Sequence, residues 1–115
     1  MREFETGATR DKNESKLNYA GFLSPAVLRA YAPYMQRHRV QNDGKLREAD
    51  NWKKGMPLSV WRESLARHFM TAWLLWDGES VEPDMVAGKE EIPTELDALM
   101  GILFNAMGLA HALLK

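Results

Sequence analysis

Nine side chains give this sequence its chemistry: Arg10, Lys16, Tyr19, Trp52, Lys53, Lys54, Arg67, His68 and Asn105. Arginine and lysine bind phosphate oxygens, tryptophan and tyrosine stack on a base, and asparagine reads a base or ribose edge. Long nucleic acid asks for a continuous basic stripe, which a net charge of −1 argues against. A small phosphorylated nucleotide fits the set better.

Other chemistries find less. Mg²⁺-dependent hydrolysis of a nucleotide needs several carboxylates converging from helix positions i and i+3 or i+4. Glu91 and Glu95 have that spacing, but Pro93 and the capping residue Thr94 lie between them. Glu95 and Asp97 are two apart and point differently, and Glu63 is the only acid inside the central helix. The histidines, His38, His68 and His111, lack metal-ligand spacing, and no HExxH, GxxxxGK[ST] or nucleophile-elbow motif is present. His68 has the chemistry of a general base or of a core histidine. His111, near a helix C-terminus, is accounted for by the helix dipole.

The elements that must hold these residues follow from spacing and punctuation. Central to them is Asn51–Trp76. A polar turn with Gly55 leads past Pro57 into a helix over 59–77, with Ser59 as its expected N-cap and Gly78 as its stop. Trp61, Leu65, His68, Ala72 and Leu75 recur at helical spacing on the expected buried face. Arg67 and His68 fall in its middle, where a cation must be solvated at an edge or paired.

Residues 1–23 read as an irregular arm. Its Leu17, Tyr19, Phe22 and Leu23 are costly to expose, so the arm is expected to lie on the domain. Ser24-Pro25 opens a helix over 24–40, with Pro33 as an expected kink and Arg37, His38 and Arg39 at the negative end of its dipole. Asn42-Asp43-Gly44 predicts a tight turn joining Arg39–Gln41 to Lys45–Arg47 in a small ribbon. The stretch 77–93 is acidic and reads as a mobile loop or a lid.

Thr94 caps the last helix, 94–114, with Asp97 completing a weaker capping box. Leu96, Leu99, Leu103, Met107, Ala110 and Leu114 form its apolar stripe, and the helix reads as buried. A second stripe, Asp97, Gly101, Asn105, Gly108 and Ala112, is small and polar. Glycine costs a helix about 1 kcal/mol against alanine, so something must approach that stripe closely, either a neighbouring helix or a ligand beside Asn105.

The sum is one all-α domain of 115 residues, with three main helices, an irregular N-terminal arm and a small turn or ribbon. Broad amphipathicity points to a homo-oligomer. With no cysteine there is no disulfide framework or thiolate metal site. The N-terminus lacks the apolar core of a signal peptide and no run reaches the ~18 apolar residues of a span, so no membrane partner is expected. Charge is uneven: residues 1–75 carry 13 Lys+Arg and 8 Asp+Glu, whereas 76–115 carry 2 and 8. That pattern suits an anion-binding first part or an acidic, solvated loop.

Gly7-Ala8-Thr9-Arg10-Asp11 with Lys16, then Asn51-Trp52-Lys53-Lys54-Gly55, then Arg67-His68 with Trp73, and finally Asn105, form a pattern over most of residues 6–112. It resembles the phage-encoded family named for the N-terminal domain of dATP/dGTP diphosphohydrolases. The resemblance implies a phage protein of purine-nucleotide metabolism, working in the cytoplasm of the infected host and splitting a dNTP into dNMP and pyrophosphate. It adds Asn51 to the nucleotide-binding set of Arg10, Lys16, Tyr19, Trp52, Lys54, Arg67, His68 and Asn105. For an enzyme, Mg²⁺ would fall to Glu95 and Asp97. Three readings stand: a module that binds or sequesters a phosphorylated purine nucleotide, such as a cyclic or ADP-ribose-derived immune signal; a dNTP pyrophosphohydrolase; and a structural helical interaction protein.

Overall fold

The computed structural model describes residues 2–10 and 16–115. Asp11 of the matched pattern and the neighbouring part of the predicted arm lie outside the described residues. More than half of the chain is helical, but two small antiparallel sheets accompany the helices, so the fold is mostly helical rather than purely so.

The arm contains a hairpin, β1 (Arg2–Glu3) with β2 (Thr9–Arg10), and a single turn of helix, α1 (Tyr19–Phe22). Helix α2 (Pro25–His38) starts as its sequence dictates. The Ser24 hydroxyl accepts from the Val27 amide at 3.2 Å, and Pro25 follows in the first turn, where its missing donor is no loss. Pro33 lies inside α2, which continues past it. The ribbon forms as expected: Val40 bridges Leu46, and the Arg47 amide donates to the Arg39 carbonyl at 2.7 Å.

A 3₁₀ turn, Asn51–Lys54, precedes helix α3 (Leu58–Trp76). Ser59 is not the cap of α3. Pro57 holds that position in an extended conformation, and its carbonyl accepts from the Val60 amide at 3.0 Å. At the other end Gly78 takes φ +74°. The Glu79 and Gly78 amides return to the Leu74 and Leu75 carbonyls at 2.8 and 3.1 Å, the paired bonds of a Schellman stop.

The acidic stretch is not a structureless loop. β3 (Asp84–Val86) and β4 (Lys89–Glu91) pair around Ala87-Gly88, both at positive φ as a two-residue primed turn requires. The Gly88 amide donates to Asn42 Oδ1 at 3.2 Å, tying this hairpin to the ribbon turn. Helix α4 (Glu95–Leu114) opens with the complete Thr94–Asp97 capping box.

The principal packing is α3 against α4: the neighbouring helix expected at the small stripe of α4 is α3, while the helix expected to be buried leaves its apolar stripe exposed. The small stripe faces α3: Gly101, Asn105 and Gly108 are buried, while Leu96, Leu99, Leu103, Met107, Ala110 and Leu114 are all exposed. The reason is close approach. A Cβ on Gly108 would stand 2.3 Å from the Trp61 ring, and one on Gly101 would stand 2.5 Å from His68 Nδ1. Trp61 and His68, two turns apart on α3, therefore seat themselves on the two glycines of α4. Trp61 is 2% exposed, and Ala72, Ala98 and Met100 join it in a small core. The arm does not lie on these helices as expected: Leu17, Tyr19, Phe22 and Leu23 are all exposed.

Candidate functional site

A cleft of about 560 Å³ opens between the C-terminal end of α2, the ribbon, the 3₁₀ turn, α3, β3 and α4. His68, Phe104 and Asn105 form part of its lining at the α3–α4 seam. The seam exists because Gly101 lets the His68 ring lie against the α4 backbone. One turn further, Asn105 is 3% exposed and donates from Nδ2 to the Gly101 carbonyl at 2.7 Å. That bond fixes the amide and leaves its remaining polar edge at the cleft.

His68 is held neutral. Burial lowers its pKa; Asp84 acts in the opposite sense, and His38 and Arg67 lower it further. The ring is thus a hydrogen-bonding imidazole at neutral pH, not a third kind of cation. His38 is oriented by α2: its Nδ1 lies 2.8 Å from the Tyr34 carbonyl, which can only accept, so Nδ1 carries the proton. Burial foremost, then Asp84 and Asp97, push the Tyr34 hydroxyl up to about 12, so it stays protonated.

Three arginines line the cleft: Arg39, Arg47 and Arg67. Arg39 Nε donates to the Arg47 carbonyl at 2.8 Å, and Arg47 donates to the His38 carbonyl at 3.3 Å, which steadies both side chains without neutralising them. Among the described residues the ion pair is Arg37 with Asp97, at 3.2 Å, and none of the three cleft arginines has a carboxylate partner. Glu48 and Asp84 are the acids of the lining. Trp52 completes it, half-buried, with its ring edge-on to His111 at 5.1 Å and the Lys53 ammonium over it at 5.7 Å.

The structure divides the nine predicted nucleotide-binding residues. Asn51, Trp52, Arg67, His68 and Asn105 meet in the cleft. Arg10, Lys16 and Tyr19 line, with Arg2, a separate open hollow of about 570 Å³ on the arm. Lys54 is exposed at the end of the 3₁₀ turn and lines neither. Glu95 accepts from Trp76 Nε1 at 2.8 Å, and Asp97 is committed to the Thr94 cap and Arg37. Among the described residues no three His, Asp or Glu side chains converge as a metal site requires, so the donor set does not fit a Mg²⁺ cage.

Sequence reasoning missed Arg39, Arg47 and His38 as site residues. Their signal was present in the ribbon register: strands closed by Asn42-Asp43-Gly44 bring residues 39 and 47 side by side. The helix dipole had offered a sufficient account of 37–39, yet only Arg37 turns away from the cleft, drawn to Asp97. Protein-family models, curated proteins and solved structures offer no match to this chain.

Proposed function

We propose that the chain binds a small phosphorylated purine nucleotide in this cleft and holds it intact. The observation that carries the reading is the convergence of Arg39, Arg47 and Arg67, none of them ion-paired to a carboxylate among the described residues, on one cavity with Trp52 and Asn105. Guanidinium groups not held in an ion pair are matched to phosphate oxygens, an indole edge or face supports a base, and a fixed amide discriminates its edge. The volume falls in the ~300–1,000 Å³ range of small-molecule sites. The phage-family resemblance favours a purine, and capture of a signalling nucleotide is the use that such a grip without a carboxylate cage supports.

Incubation with dATP, dGTP and cyclic purine nucleotides in the presence of Mg²⁺, followed by heat release and chromatography, tests it. Intact nucleotide recovered only after heating is the expected result. Formation of dAMP or dGMP with pyrophosphate would replace capture by hydrolysis, and no affinity for any of these ligands would remove the proposal.

A further inference from the structure

The chain exposes far more surface than its mass warrants. Its accessible area is 9059 Å², whereas a compact monomer of 13.1 kDa exposes roughly 6,400 Å², an excess of roughly 2,700 Å². Its radius of gyration is 19.1 Å, against about 13 Å for a compact domain of this length. Obligate homodimers bury ~1,000–2,500 Å² or more on each partner, so the excess on one chain reaches the upper end of what a second copy would cover.

The excess has a location. Leu17, Tyr19, Phe22 and Leu23 of the arm are 69, 71, 80 and 55% exposed. Along the cleft rim, Met56, Val60 and Met85 are also exposed. An apolar strip without a seat and an apolar rim without a cover are complementary. Charge divides the same way. The cleft lining sets three arginines against two acids, too little for a polyphosphate, while Arg2, Arg10 and Lys16 gather on the arm with Tyr19.

We infer that the arm of one copy lies along the cleft rim of a second copy, so that Arg10, Lys16 and Tyr19 complete the neighbour's nucleotide site. The placement of these cations rests on the nucleotide reading; the exchange of arms does not. Leu17, Phe22 and Leu23 of one copy pack on Met56, Val60 and Met85 of the other, and Tyr19 comes opposite Trp52. The outward leucines of α4 and the exposed cluster of Phe69, Trp73 and Trp76 supply the remaining apolar interface between copies.

The cysteine-free sequence permits a direct test. Two differently tagged full-length chains, one Tyr19→Cys and the other Met56→Cys, are co-expressed and treated with a short bismaleimide. Leu17→Cys with Val60→Cys serves as a second pair, and circular dichroism checks folding. A covalent dimer bearing both tags is expected from each pair. A monomer by light scattering at micromolar concentration, an oligomer without these cross-links, or recovery of the protein on phospholipid vesicles in place of self-association would overturn the inference.

Co-expression of an Arg10→Ala, Lys16→Ala chain with an Arg67→Ala chain then tests the shared site. Each variant alone is expected to lose at least tenfold in affinity, and the mixed oligomer to regain wild-type affinity at reduced stoichiometry. No regain in a cross-linked oligomer that binds nucleotide as wild type would overturn the composite site. Cross-links without any binding by the wild-type chain would remove the nucleotide reading and leave arm exchange standing.

Discussion

At the scale of single residues, the cleft separates two kinds of positive group that look alike in sequence. Arg67 is a permanent cation with no carboxylate at ion-pair distance among the described residues, whereas its neighbour His68 is kept neutral by burial. A hydrogen bond to a charged group contributes about 1.5–3 kcal/mol, so Arg67→Ala and Arg47→Ala are each expected to weaken nucleotide binding by about 10–100-fold, as read by titration calorimetry. The His68 contribution has a definite sign. Its folded pKa lies below the ordinary value, so as pH falls through about 6.5 the unfolded chain takes up a proton that the native ring resists. Stability then falls with pH and levels off below the folded pKa. Urea midpoints at pH 7.5, 6.5 and 5.5 should decline in the wild type, and the decline should shrink in His68→Gln. Trp52, Arg67, His68 and Asn105 stand out by residue type and Asn51 by the family resemblance alone, and the fold brings the five to one cleft. Arg39 and Arg47 do not stand out, because residue type does not say which of several cations at a helix end will find a carboxylate.

Among the elements, local rules read well and partner choice did not. Ser24-Pro25, the Thr94–Asp97 box and Gly78 stand where capping chemistry puts them, since those bonds are made within a few residues. The hairpin of 84–91 stayed hidden because β4 is charged throughout and only Val86 in β3 is buried, leaving no alternation to detect. The last helix reads as buried in the sequence because amphipathicity reports which face is oily, not whether its cover comes from the same chain. The glycines carried the better signal. Gly108→Ala must displace the buried Trp61 ring, and overpacking of this kind costs about 1–3 kcal/mol, more than the ~1 kcal/mol that alanine returns in helix propensity. A lowered thermal midpoint with nucleotide affinity retained is expected. Gly101→Ala instead meets the His68 ring, which lines the cleft, so its effect should appear in affinity as well as in stability. Thermal melts and titrations of the two variants, side by side, separate these outcomes.

For the molecule as a whole, the sparse core and the open surface predict that folding and association are one event. The thermal midpoint should therefore rise with protein concentration over a hundredfold dilution series, because a partner that binds only the folded chain adds stability by mass action. A midpoint independent of concentration would mark the elongated monomer as self-sufficient. A mostly helical fold followed from periodicity. The 58 × 35 × 26 Å extent did not, since nothing local records how far an arm reaches.

Helix α4 leaves all but one of its leucines exposed and gives its smallest side chains to the contact with α3. If another copy covers those leucines, the rate of pairing grows with the square of the amount of chain made. An assembly built this way would be nearly silent while copies are scarce and would come into force abruptly as synthesis proceeds. Its dose response would then be set by the outer face of one helix rather than by the residues that line the cleft.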